Sequence, residues 1–371
     1  MPKMSHSDST AKQKHKDKLN LYMIGYSPDV KYLKRLLSQI KPILNTISFV
    51  CTDEENDCLE VIKDSGIPYE FERITFPTRQ DFDFSLARNK AREMASKHAG
   101  WLFWLDCDDT IENPENILKE MEANAGKDCY GLPYIVNEQS GNLFKLRIHK
   151  DGWKWVNKVH EELISTEGRE REVLVLSDCP VVHSPDEGKS NHDFHIGLLK
   201  KNIESSEADY TYIAKEYFNS VQIDEAIPYI KKAIAIHSYP HEIYNLWNML
   251  GISYVIKEDD NNAIKAFSSA VLVSPHRKEA YLHLAELYGK LGEQDNLKKG
   301  FGYACACISQ LDFGEPLQNT AIYEKLGYLL HARYLQKFNR YKEALESLGK
   351  INEECPEADI MRKELEDAST E

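Results

Sequence analysis

The residues best equipped for chemistry lie in one segment, 84-FSLARNKAREMASKHAGWLFWLDCDDTIENPENI-117, where the apolar run 101-WLFWL-105 ends on Asp106-Cys107-Asp108-Asp109. Three carboxylates crowded at a strand end repel one another and need a compensating cation. Their oxygens are hard ligands, so Mg²⁺ or Mn²⁺ suits them better than zinc, and such an ion usually completes its shell with substrate phosphates. A solvated acidic turn leading into the polar stretch around Pro114 is the alternative. Arg88, in the A-R-N element upstream, carries an always-charged guanidinium that forks onto two oxygens, which fits a phosphate; a surface helix arginine is the plainer reading.

Chemistry of this kind needs a scaffold, and residues 18 to about 185 alternate strand-like and helix-like segments. Strands are read at 19–27, 45–52, 69–74 and 101–105, and helices at 29–41, 55–66 (stopped by Gly66) and 85–97. Repeated strand-helix-strand units of this length imply a mostly parallel sheet with helices on its faces, with ligands at the carboxyl ends of the strands.

Beyond Asn202 the texture becomes helical and repetitive. Trp247, Leu250, Gly251, Tyr254, Ala263, Phe267 and Ala270 recur 34 residues later as Tyr281, Leu284, Ala285, Tyr288, Leu297, Phe301 and Ala304, with Pro275 closing the first unit. The offsets are those of the tetratricopeptide repeat, a helix hairpin in which small residues let two helices approach. Ala214, Tyr217, Ala226, Ile230 and Ala233 fit an earlier copy, and Tyr328, Ala332, Leu335, Ala344, Leu348, Ile351 and Pro356 a last one. The expected organisation is a basic arm over 1–17, an α/β domain over 18–202 and an all-α repeat domain over 203–371.

Composition excludes several classes. With 371 residues, 46 Lys+Arg against 60 Asp+Glu and a net charge of -14, the chain is an acidic two-domain protein. Residues 1–200 hold 27 basic and 33 acidic side chains, and 201–371 hold 19 and 27, so neither half is a platform for duplex DNA or anionic lipid. The first 18 residues carry five lysines and no apolar stretch, which reads as a solvated arm rather than a secretory leader. No apolar run is long enough to span a bilayer. Eight scattered cysteines without a C-x-x-C pair read as free thiols of a reducing cytosol, giving a cytoplasmic expectation.

The chemical segment resembles the GT-A glycosyltransferases of family 2, which often show D/N-F-S-x-A-R-N at a helix start followed by W-x-x-x-L-D-A-D-E. The resemblance continues in 147-RIHKDGWKWVNKVHEEL-163, similar to the R-x-F…W-x-G-x-V-H-E-x-L element of the branch that carries tetratricopeptide repeats. It extends through 182-VHSPDEGKSNHDFHIGLLKKN-202, similar to that branch's H-x-x-x…K-x-x-R-N linker, and so covers nearly the whole chain. Two departures stand out: the usual D-T-G-S-T-D is replaced by 50-VCTDEEND-57, with Cys51 where an aspartate is expected, and the first loop reads 22-YMIGYSPD-29.

What the resemblance implies is a metal-dependent, inverting transferase with a nucleotide sugar, UDP-linked by preference, as donor. Asp108 would bind Mn²⁺ or Mg²⁺ at the diphosphate, and Asp106 would reach the ribose or a metal-bound water. His183 would be a late metal ligand, Arg88 a phosphate contact and Asp53 the substitute grip on base or ribose. Lys189 would close over the diphosphate. Glu161 is the first choice for the base that takes the acceptor's proton, with His160 orienting it and Asp109 as competitor; a His-Glu pair fastening the last strand is the structural alternative. Trp153 and Trp155 would stack on a sugar or fill the core, and His192 and His195 would belong to a flap. The acceptor is expected to be a protein or peptide side chain or a glycan presented by the repeats, which could also pair two copies. A modified DNA base is a disfavoured acceptor, and a non-catalytic repeat scaffold is the contrasting class.

Overall fold

The computed structural model describes residues 18–55, 57–136, 143–168, 172–183, 192–201, 207–310, 321–352 and 354–368. The basic arm and Lys189 lie outside the described residues. The chain divides into two compact units, 1–198 and 199–371. That boundary falls four residues before the 202 expected from sequence.

The first unit begins with β1 (Leu19–Gly25), α1 (Val30–Ile40), β2 (Leu44–Cys51), α2 (Asp57–Ser65), β3 (Tyr69–Arg73), α3 (Phe84–Ala95) and β4 (Trp101–Trp104). β5 (Asp109–Ile111), α4 (Asn116–Ala123), β6 (Cys129–Ile135), β7 (Phe144–His149), β8 (Trp153–Val156), β9 (Glu162–Ser165), β10 (Leu174–Val175), β11 (Val181–His183) and α5 (His192–Lys201) follow. The sheet order is β3-β2-β1-β4-β7-β6-β11-β5, with β10 beside β6 and β8–β9 a separate hairpin. The run β3-β2-β1-β4 is parallel throughout, as expected. Past β4 the sheet turns mixed, because β7 is antiparallel to both β4 and β6, and β5 is antiparallel to β11.

β1 is buried on both faces, which its near-continuous apolar sequence allows. Leu21 and Met23 pack with Leu33, Leu36 and Leu37 of α1 and Ile62 of α2 on one face. Tyr22 packs with Ala87, Ala91 and Met94 of α3 and with Trp104 and Trp155 on the other. α3 starts where Asp83 accepts the Leu86 backbone N–H at 2.9 Å, an N-cap that fixes Arg88 one turn later.

The second unit is a series of helix hairpins of tetratricopeptide type: α6–α7 (Glu207–Asn219, Ile223–Ile236), α8–α9 (Pro240–Ile256, Asp260–Val273) and α10–α11 (Glu279–Leu291, Gln294–Ser309). α12–α13 (Gly327–Lys337, Tyr341–Leu348) and α14 (Pro356–Ala368) complete it, with a π-helical turn over Ile322–Leu326 leading into α12. Within each of the four hairpins the turn holds one residue in the left-handed region: Val221, Glu258, Gly292 and Asn339. The repeat is therefore written in the backbone as well as the side chains. Ala214, Ala226, Leu250, Ala263, Phe267, Ala270, Leu284, Ala285, Ala304, Ala332, Ala344 and Leu348 are all buried, as their repeat positions require.

At Gly251 the two helices of a hairpin are in close contact. A Cβ there would lie 2.5 Å from the ring of Phe267, which is fully buried and has nowhere to go. Gly251→Ala is expected to destabilise the repeat unit by about 1–3 kcal/mol through overpacking, read as a lowered midpoint in urea unfolding followed by helical circular dichroism. An unchanged midpoint would contradict the close-packed hairpin.

Candidate functional site

The carboxyl ends of β1, β2 and β4 and the start of α3 enclose a cleft of about 430 Å³ lined by Gly25, Tyr26, Asp53, Arg88, Asp106 and Asp108 among others. Phe82, Phe84 and Phe194 supply an aromatic wall, with the Arg79 guanidinium 4.5 Å from the Phe194 ring centre. Size and lining, apolar with a few convergent charges, are those of a small-molecule site.

The acidic segment does not act as one group. Asp106 accepts from Arg88 Nη2 at 2.6 Å, and its second oxygen is 3.9 Å from Arg147 Nη1. Burial alone would raise the Asp106 carboxyl, but Arg88 and then Arg147 outweigh it and hold the group well below the usual carboxylate range. Asp109 is wholly buried; its Oδ2 is 3.0 Å from Arg147 Nη2 and accepts the Asp106 backbone N–H at 3.0 Å. Its Oδ1 faces His183 Nδ1 at 3.2 Å.

That last pairing follows from strand register. β5 and β11 run antiparallel with Asp109 opposite His183 and Ile111 opposite Val181, so the two polar groups are cross-strand neighbours while the apolar pair fills the core below. A one-residue slip of either strand would put the two side chains on opposite faces of the sheet. Asp108, next in line, has Oδ1 at 3.6 Å from His183 Nδ1. One ligand atom from each of Asp108, Asp109 and His183 lies within 4.8 Å of the others.

Two carboxylates converge on one imidazole in this trio. The Asp108 carboxyl is pushed up by burial; His183 opposes the shift, while Asp106 and Asp109 add to it. Burial would lower the His183 imidazole, but its hydrogen bond to Asp109 and the neighbouring carboxylates raise it on balance. A divalent ion would take the place of a proton between His183 Nδ1 and the facing carboxylates, as metal binding to histidine does. Two carboxylates and one imidazole suit Mn²⁺ better than Mg²⁺, which favours oxygen alone.

Several placements differ from the sequence reading. Asp106, expected at the ribose or a metal-bound water, lines the cleft and is tied to two arginines. Arg88, expected to face a phosphate, donates through Nη2 to Asp106 and through Nε to Glu161, each at 2.6 Å, so its fork is turned onto protein carboxylates. Asp109, considered as a base, is fully buried and does not line the cleft; it converges with Asp108 and His183. Glu161 is not part of the cleft lining but is fixed to the site through Arg88. His160 adopts a left-handed backbone, φ 51°, just before β9, with its ring 6.0 Å from that of His195.

Asp53 does line the cleft, its Oδ2 accepting the Ser27 N–H at 2.6 Å and its Oδ1 accepting from Cys51 at 3.1 Å. Burial would raise its carboxyl, but the Ser27 N–H, the Cys51 thiol and further hydrogen bonds together outweigh that and the net shift is downward. Cys51 thus serves Asp53 rather than replacing it. Asn89 binds the backbone of Trp155 in both directions at 2.8 Å, a purely structural role. Trp153 and Trp155 are 6% and 4% exposed, so they belong to the core rather than to a sugar platform. His192 and His195 lie on α5, not on a loop. All eight cysteines are free thiols.

Sequence reading met Arg147 only as the first residue of the R-x-F match and gave no role to it, to Lys145 or to Tyr134. Arg147 stacks 3.9 Å from the Trp104 ring, and Lys145, two residues earlier on the same face of β7, lies 3.9 Å from the Tyr134 ring. Burial and then Arg147 lower the Lys145 ammonium. The available signal was a strand carrying two cations at period two, K-L-R, where an internal strand is normally apolar.

No family profile matches this chain, and no curated protein does. Among solved structures it is similar to MamA, with 18% identity over 44% of this chain and 82% of that one, at a TM-score of 0.35. It is also similar to the C-terminal part of a TPR repeat-containing protein from Cytophaga hutchinsonii, at 17% identity, 49% and 69% coverage and a TM-score of 0.39. A thermophilic TPR protein of Thermus thermophilus matches at 16% identity, 48% and 91% coverage and a TM-score of 0.33. Among the described residues no helix is long and apolar enough to cross a membrane.

Proposed function

We propose that this chain is a metal-dependent GT-A glycosyltransferase that moves a sugar from a nucleotide-diphosphate donor, UDP-linked by preference, to a protein, peptide or glycan acceptor with inversion. One observation carries the reading: a cleft at the carboxyl ends of parallel strands in which Asp108 is at once a wall residue and a member of the Asp108–Asp109–His183 trio. That trio would hold Mn²⁺ or Mg²⁺, which when bound neutralises charge developing on a nucleoside diphosphate leaving group.

The chain's own groups divide the remaining work. Asp53, oriented by the Ser27 N–H, offers its carboxylate to the ribose or base. Arg88 holds Asp106 and Glu161 in a fixed relation, and Glu161 is the candidate to accept the proton of the acceptor nucleophile. The aromatic wall excludes water from one side of the cleft. The repeat unit would bind the acceptor chain or pair two copies of the enzyme.

A second reading has its own support. Asp106 and Glu161 are matched by Arg88, and Asp109 by Arg147 and His183, so much of the acidic cluster is charge-compensated by protein groups. This suits a non-catalytic repeat scaffold whose α/β unit has kept its fold alone.

Melting curves with a panel of nucleotide sugars, with and without Mn²⁺, separate the two. Donor at about 100 times its Kd should add ~2.7 kcal/mol to stability, a rise of several degrees that requires Mn²⁺. A panel in which no donor shifts the curve, with or without the ion, favours the scaffold and overturns the transferase.

A further inference from the structure

Arg147 is, with Arg277, the bulkiest of the fully buried side chains among the described residues, and it lies in a strand of the central sheet. A guanidinium taken wholly out of water is costly unless its charge is matched. Its matches are all at the candidate site: Asp109 at 3.0 Å, Asp106 at 3.9 Å, and the rings of Trp104 at 3.9 Å and Tyr134 at 5.0 Å. None of its three guanidinium nitrogens makes an aligned hydrogen bond among the described residues. Arg147 is thus held by aromatic faces and by charge, and not by a hydrogen-bonded fork.

The consequence falls on Asp109. Its Oδ2 is turned toward Arg147 and the Asp106 N–H, which leaves Oδ1 directed at His183. We propose that Arg147 is a positioning residue of the cation site: by drawing Oδ2 of Asp109 to itself it aims Oδ1 at the point shared with Asp108 and His183. This rests on the reading that the trio holds a divalent ion. A lysine at 147 would keep the charge but, as a compact ammonium on a flexible stem, would lose the planar stacking that fixes its position.

The test is Mn²⁺ binding to the full chain, followed by electron paramagnetic resonance of the free ion, with thermal unfolding as the control for fold. Arg147→Lys should weaken Mn²⁺ about 10–100-fold, the range for residues that orient metal ligands. In an Asp109→Asn background the same substitution should have no further effect, because the carboxylate it aims is gone. If Arg147→Lys fails to fold, Arg147→Met/Asp109→Asn compared with Asp109→Asn alone asks the same question, and equal affinities are expected. Wild-type affinity in Arg147→Lys, or a further loss of affinity in the Asp109→Asn background, overturns the inference while leaving the metal site standing. Failure of the wild-type chain to bind Mn²⁺ overturns both.

Discussion

Asp108→Asn is expected to lower Mn²⁺-dependent turnover of a nucleotide-sugar donor by at least about 100-fold while leaving the fold in place. The magnitude follows from the position of the side chain. Substituting groups that merely orient a metal ligand commonly costs 10–100-fold, and Asp108 is the member of the trio that also faces the cleft. An amide keeps the shape but supplies no charge to a hard cation. Stability should respond little, within about 1 kcal/mol, because the substitution removes repulsion from Asp106 and Asp109 at the same time as attraction to His183. Loss of turnover with an unchanged melting curve is therefore the signature. Turnover at the wild-type level would remove Asp108 from the reaction.

The parallel half of the first unit and the helical repeats could be read from sequence because both rest on periodicity. β1, β2 and β4 are apolar runs bounded by turns, and α1 places Leu33, Leu36, Leu37 and Ile40 at helical spacing. Gly251 and Ala263 sit at the small positions of the repeat and are buried as that pattern demands. The short strands past β4 were less legible. β5, β10 and β11 are two or three residues long, too short to show a period, and exist because neighbouring strands pair with them.

The site shows a similar division. The D-C-D-D cluster and His183 were visible as residue types, but which carboxylates converge was not, since adjacent aspartates at a strand end point different ways. Register decides the matter: Asp109 opens β5 opposite His183, whereas Asp106, before the turn, points at Arg88. Arg88 and Glu161 are 73 residues apart, and no local pattern joins them. Arg147 was hidden for a different reason: an arginine in a strand reads as solvent-facing until both faces of that strand are known to be covered.

Arg88→Met should be strongly destabilising, costing ~3–5 kcal/mol and lowering the melting temperature of the first unit by on the order of 10 °C. Arg88 is 7% exposed and joins two carboxylates, so its removal strands Asp106 and Glu161 as partly buried charges without their hydrogen-bond donor. The loss should depend on pH. The folded Asp106 carboxyl lies below its ordinary value of about 3.9, because Arg88, helped by Arg147, more than offsets the burial that would raise it. A folded value below the unfolded one contributes stability that is complete above the unfolded value and disappears as pH falls through the folded one. The gap between wild type and Arg88→Met should accordingly be full at pH 7 and narrow below pH ~4, measured by urea unfolding at both. Neutralising the stranded groups in Arg88→Met/Asp106→Asn/Glu161→Gln should recover part of the loss at pH 7, since the penalty for breaking such a pair lies largely in the charge left behind. A single variant as stable as wild type at pH 7 would mean that water reaches both carboxylates freely, and that Arg88 does not hold Glu161 at the site.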